Sequence, residues 1–223
     1  MKLPVASHTF LNDWDNCPHK AARKYIIKDL PRQPETTQMK WGNEVHKAFE
    51  LYLNEGKAFP VGMEKFEPIA APLRAAGARG ELSLGIKEDG SPCDFWDKSA
   101  WLRGKLDAVK TNGSTIAAIM DFKTGKKRED AGELQTHAVL LKAHYPTVKV
   151  IVGRYVWLQE HEVGRPHLVS NTEDKLADIR STMNIVSNSI ATGFFPKRQN
   201  PLCGWCDVLD CEFNRKKERE ARG

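Results

Sequence analysis

The segment Ile119-Met120-Asp121-Phe122-Lys123-Thr124-Gly125-Lys126 decides how this chain is read. An apolar run, Thr115-Ile116-Ala117-Ala118-Ile119-Met120, leads directly into Asp-x-Lys and then a glycine turn. Side chains alternate along a strand, so Asp121 and Lys123 share one face while Phe122 points into a core. A carboxylate beside an ammonium at a strand end suits metal-assisted phosphodiester hydrolysis. The carboxylate holds a divalent cation, and the lysine orients the attacking water or offsets charge growing on the scissile phosphate. Asp-x-Lys is also a common triplet, and an ordinary ion pair at a surface strand end reads the same way. Neighbouring segments must decide between the two.

The preceding strand carries Arg103-Gly104-Lys105-Leu106-Asp107. A two-residue turn at Asn112-Gly113 would set Asp107 opposite Ala118. A longer connection centred near Ser114, or a bulge, would set it opposite Asp121. The longer connection is expected, because two facing carboxylates repel unless a cation lies between them. A third element, Gly42-Asn43-Glu44-Val45-His46, places His46 beside the apolar stripe of a helix. Alone, such a histidine is an ordinary boundary residue. With the two aspartates it completes a His/Asp/Asp set, whose oxygen-rich chemistry suits Mg²⁺ or Mn²⁺ better than zinc.

Working outward, residues 7–28 have helical apolar spacing with Ser7 as cap, and residues 39–55 form a second helix ended by Gly56 and Pro60. A shorter helix is expected near 63–76. Strands are expected at 80–87, 101–109, 115–122 and 148–158, with an edge strand near 166–170. Between them lies a helix over 129–145. An amphipathic helix over 172–192 is stopped by Gly193, and a Pro/Cys loop and a charged tail from Arg215 follow. This order describes an α/β fold with a small mixed sheet flanked by helices, an N-terminal helical layer and a C-terminal cysteine loop. It is expected to be one domain over 1–223, divided into a helical part (7–78), an α/β core (79–192) and the loop with its tail (193–223).

Composition sets wide bounds. The 223 residues are 40% hydrophobic and 28% charged, which excludes a disordered, collagenous or coiled-coil chain. No apolar run approaches the ~20 residues of a bilayer span, and the opening MKLPVASHTF has no apolar core of a signal peptide. An intracellular, cytoplasmic protein with no membrane partner is therefore expected. The net charge of +5 is compatible with nucleic-acid binding without requiring it. Lys123, Lys126, Lys127 and Arg128 follow the Asp-x-Lys strand and are placed to meet phosphates.

The five cysteines are Cys17, Cys93, Cys203, Cys206 and Cys211. Cys203-x2-Cys206-x4-Cys211 is compact enough to grip one metal centre. A fourth ligand must come from elsewhere, and Cys17 is the candidate, since Cys93 falls in an apparent loop. Spacing does not distinguish an iron–sulfur cluster from a Cys₄ zinc site.

Taken together, the sequence resembles the PD-(D/E)xK nuclease superfamily in its RecB/AddB-like branch, which includes the CRISPR adaptation nucleases. The resemblance rests on GNEVH (42–46), RGKLD (103–107), MDFKTGK (120–126) and the opening SHTFLNDWDNCP (7–18). It implies a restriction-endonuclease-like core. It also implies a catalytic metal held by His46, Asp107, Asp121 and the carbonyl of Phe122, with Lys123 catalytic and Glu81 matching a less strict family glutamate. Cys17, Cys203, Cys206 and Cys211 match the branch's iron–sulfur ligands, usually of a [4Fe–4S] cluster. One motif departs. Where the branch has Q-x-x-x-Y after the DFK strand, this chain has Glu133 and His137. Gln135 is a candidate replacement, though on another helical face, and His137 is either a DNA-contacting group or a half-buried helix residue.

The expected activity is that of a Mg²⁺- or Mn²⁺-dependent deoxyribonuclease, an exonuclease acting on DNA ends or single strands in recombination, repair or phage DNA metabolism. The host is expected to be prokaryotic or a phage, and the partners to be a helicase, a recombinase or a CRISPR-adaptation protein. The alternatives are an accessory DNA-binding subunit without turnover and a zinc-stabilised RNA-processing nuclease.

Overall fold

The computed structural model describes residues 1–31, 34–111, 113, 115–127, 131–169 and 171–216. In chain order the elements are α1 (His8–Asn16), α2 (Pro18–Ala22), α3 (Thr37–Glu55), α4 (Glu67–Ala75), β1 (Arg79–Ile86), β2 (Pro92–Cys93), β3 (Leu102–Lys110) and β4 (Ile116–Lys123). They continue with α5 (Ala131–His144), β5 (Val150–Trp157), β6 (Glu162–Val163), β7 (His167–Leu168) and α6 (Thr172–Thr192). Two compact units emerge: residues 35–176, and residues 1–34 together with 177–223. Among the described residues no helix is long and apolar enough to cross a membrane.

The larger unit is built on a seven-stranded mixed sheet of order β2-β1-β3-β4-β5-β6, with β7 also pairing with β5. β1, β3 and β4 run antiparallel, whereas β4 and β5 are parallel. A parallel pair needs a crossover, and α5 supplies it. The fold is mixed α/β, with helices on the sheet. The short strands β2 and β6 lack the length to leave a periodic signal in sequence. Cys93 consequently lies on β2, opposite Gly85, rather than in a loop.

One face of the sheet is covered by α3. The Thr36 hydroxyl caps it by accepting from the Met39 N–H at 3.2 Å, and Gly56, in the left-handed region at φ 72°, ends it. Val45, Phe49 and Leu53 of this helix are buried with Phe59, Phe66, Phe122 and Val156. The rings of Phe49 and Phe122 lie 4.2 Å apart, so the helix that carries His46 is clamped onto the strand that carries Asp121. Full burial of one such ring contributes about 1.5–3 kcal/mol. On α5, Leu134 sits over Gly153, where an added Cβ would come within 3.0 Å of it. Glycine at that position lets helix and strand approach closely.

In the smaller unit the single helix expected over 7–28 is interrupted. Cys17 is extended (φ −163°, ψ 104°) because Pro18 disfavours helical backbone in the residue before it. The chain restarts as α2 and then widens into a π-type turn over Arg23–Ile27. The Ser7 cap is present, with its Oγ accepting from the Phe10 N–H at 3.2 Å. The helix expected near 63–76 is a 3-10 turn over Glu64–Phe66 followed by α4.

Candidate active site

The β3–β4 register pairs Lys110 with Ala118, Val109 with Ile119 and Ala108 with Met120, so Asp107 follows opposite Asp121. This is the longer connection expected from sequence; Asn112 and Ser114 themselves lie outside the described residues. The ladder stops at Ala108–Met120, and Asp107 takes over its next bond. The Phe122 N–H donates to Asp107 Oδ2 at 2.7 Å. A backbone donor released where strands part needs a partner, and a carboxylate is a strong one. The other oxygen, Oδ1, lies 3.0 Å from His46 Nδ1 on α3. One side chain thus ties together three elements.

Asp121 is 3% exposed. The Lys123 ammonium lies 2.7 Å from its Oδ2 and 2.6 Å from Glu133 Oε2 on α5, over the Tyr155 ring at 5.5 Å. Despite that proximity, Asp121 Oδ2 has no hydrogen-bond partner with suitable geometry. Burial above all, then the charges of Asp107 and Glu133, push the Asp121 carboxyl up to about 8, and Lys123 only partly offsets them. Burial alone would lower the lysine pKa, but Asp121 and Glu133 outweigh it and raise it. Burial likewise opposes charge on His46, and the hydrogen bond and charge of Asp107, with the charge of Asp121, reverse the balance upward.

Three carboxylates therefore meet one ammonium and one imidazole. A buried carboxylate oxygen without an aligned donor, beside a second carboxylate, fits a hard divalent cation. In the arrangement described, these side chains bond to one another, and among the described residues no group of three or more His, Cys, Asp or Glu is set to hold a metal ion.

The remaining sequence candidates are placed as follows. Glu81 lies on β1 with φ 45°, and Lys105 donates to it at 2.5 Å. With Lys105, Asp107 and His46 it lines an open groove of about 710 Å³. Gln135 is exposed on α5 and lines a different cavity, with Arg165 and His167. Glu133, two residues earlier, is the α5 side chain that reaches Lys123; the sequence pointed to it only as a departure from a motif. His137 is 6% exposed and packs over Gly104, where a Cβ would come within 3.4 Å of its ring, so it occupies the packed position rather than an open one. Lys126 is exposed, and Lys127 pairs with Glu162 at 2.6 Å. Arg128 lies outside the described residues. Tyr155, beside Asp121 in the β4–β5 register, had no local signal.

In the smaller unit, Cys17, Cys203, Cys206 and Cys211 line one cavity of about 40 Å³, and none forms a disulfide. The Asn200 side chain fastens the cavity: Oδ1 accepts from the Leu202 N–H at 2.9 Å and Nδ2 donates to the Asn16 carbonyl at 2.8 Å. Arg198 donates to the Asp15 carbonyl, and Arg23 reaches Asp210 at 2.9 Å. Burial pushes the Cys206 thiol up, with Cys17 and Cys203 adding to the effect. Thiolates are the usual ligands of clusters and of structural zinc, but as they stand these four, like the other described residues, are not set to hold a metal ion.

The fold and this constellation define a class. The profile of the PD-(D/E)XK nuclease superfamily matches residues 59–211, and the chain belongs to that superfamily. Among solved structures it is similar to a Eubacterium rectale protein named "Putative exonuclease", at 13% identity over 97% of this chain and 88% of that one, with a TM-score of 0.55. That likeness concerns the fold. A protein named SSO0001 is similar over 96% of this chain and 88% of that one at 15% identity, with a TM-score of 0.49, too low to carry weight. No curated protein matches the chain.

Proposed function

We propose that this chain is a Mg²⁺- or Mn²⁺-dependent deoxyribonuclease of the RecB/AddB-like branch, an exonuclease acting on DNA ends or single strands. The observation that carries the reading is the facing pair Asp107 and Asp121 at the point where β3 and β4 part, with Lys123 held between Asp121 and Glu133. Asp107, Asp121, His46 and the Phe122 carbonyl would hold the metal. When bound, the metal polarises the scissile phosphate and acidifies the attacking water. Lys123 orients that water and offsets charge on the phosphate. Glu133 keeps the ammonium in place from the position where the branch has a glutamine. Glu81 fixes the Lys105 ammonium in the groove, and the exposed Lys126 is available to a phosphate. Because such contacts carry no base information, cleavage is indifferent to sequence.

The cysteine cavity is read as the seat of a [4Fe–4S] cluster that pins the end of α1 to the last loop, with Cys₄ zinc as the competing occupant. Iron and zinc analysis, with absorbance near ~400 nm, separates the two.

The activity test is cleavage of a strand labelled at either end, with Mn²⁺, Mg²⁺ or chelator, by wild type, Asp121→Ala and Lys123→Ala. Metal-dependent product from wild type alone supports the reading. Equal activity in all three overturns it.

A further inference from the structure

We infer that Phe95, Trp96 and Arg103 form a stacking platform for an unpaired nucleobase of the strand being cut, an inference that rests on the nuclease reading above. Trp96 is 78% exposed, on the connection between β2 and β3. A single exposed tryptophan needs no explanation. This one is part of a built group. Its ring meets Phe95 edge-on at 4.8 Å, and the Arg103 guanidinium lies 5.1 Å from the Phe95 centroid and 5.3 Å from that of Trp96. Aromatic faces combined with arginine are the combination that stacks single-stranded bases, because every base has a π-face and the cation adds to the contact.

The loop that presents the rings is fixed. The Asp97 carboxylate accepts from the Ser99 N–H and hydroxyl, each at 2.7 Å. The Trp101 N–H donates to the Ile86 carbonyl at 2.8 Å, and Ala100 and Trp101 are buried beneath. The Asp97 carboxylate is thereby turned toward Ser99, Asp94 being the other acidic residue of the connection, and the Arg103 guanidinium stays beside both rings.

The group is also continuous with the site. Lys105 lies 5.9 Å from the Phe95 ring and lines the same groove as Asp107 and His46. Arg103 is four residues from Asp107 along β3, about 13 Å, a span a few nucleotides long. Paired bases within a duplex have their faces covered by their neighbours, so the platform selects a single strand or a frayed end. A protein partner would use the same rings without regard to bases.

The test uses the Asp121→Asn protein in chelator, so that nothing is cut, and follows anisotropy of a fluorescein-labelled oligothymidylate of about 20 nucleotides and of a blunt duplex. Adding Trp96→Ala is expected to weaken oligothymidylate binding about tenfold. Trp96→Phe should restore most of it, and the duplex should bind equally with or without Trp96. Unchanged oligothymidylate binding in Trp96→Ala, an equal loss on the duplex, or no binding by the Asp121→Asn parent each overturns the platform. The two readings fail separately. Absent cleavage by wild type with Trp96-dependent binding strikes the nuclease reading alone. Intact cleavage with Trp96-independent binding strikes the platform alone.

Discussion

Asp107 and Asp121 stand side by side because two strands hold them in register, and both would be more comfortable apart. Cys17 and Cys203 line one cavity because a helix end and a distant turn are tied by Asn200 and Arg198. The first site stores electrostatic tension: a buried carboxyl pushed up to about 8 beside two more carboxylates. The second is a fastening whose own loops contain little regular structure beyond the 3-10 turn over Pro201–Trp205. Regular scaffolds can bear an unfavourable site because the core beneath is secure. Here that core is Phe49, Phe66 and Phe122 under α3. Removing a side chain should therefore cost function in one region and stability in the other.

The largest effect expected is on turnover. Asp121→Asn or Lys123→Ala should lower metal-dependent cleavage by about a thousandfold, with a melting temperature no lower than that of wild type. A melting loss comparable to that of a core mutation would erase the contrast between the regions. If the cysteine cavity holds the proposed cluster, Cys203→Ser should do the reverse, losing the metal and on the order of 3 kcal/mol of stability. Its specific activity per folded molecule should be retained, as measured by chemical denaturation and elemental analysis. Glu133→Gln should reduce cleavage roughly 10- to 100-fold, and Glu133→Ala further, because the amide still meets the lysine. Equal losses in both would remove Glu133 from the site.

The smallest effect is with pH. In the metal-free protein the Asp121 carboxyl keeps its proton up to about 8, whereas the unfolded chain releases it near the usual carboxylate value of about 4. The folded state binds more protons across that window, so stability is highest below it and falls as pH rises toward 8. Asp121→Asn should flatten this slope. An unchanged slope would show that the carboxyl is not held protonated.

Much of this was legible in the chain. The strand run into Asp121-Phe122-Lys123, the His46 helix and the amphipathic helix over 172–192 all carry local periodicity, and they appear at the expected places. Glu133 was visible only as the wrong residue in a motif, since nothing local tells a helix glutamate that a lysine ten positions earlier faces it. The break at Cys17 could have been read from Pro18, whose restriction on its predecessor outweighs the apolar spacing around it. The two-residue strands at Pro92–Cys93 and Glu162–Val163 could not, being too short to alternate.

By itself the sequence determined the longer elements, their order and the residue types that make phosphodiester chemistry thinkable. These follow from steric preferences and hydrophobic period, which act over a few neighbours. Only the tertiary structure decided that Asp107 faces Asp121, that Lys123 is shared with Glu133, that His137 is packed while Trp96 is open, and that four separated thiols line one cavity. Those are outcomes of register, crossover and packing, in which the free energy of each contact depends on segments that the chain brings together only when it folds.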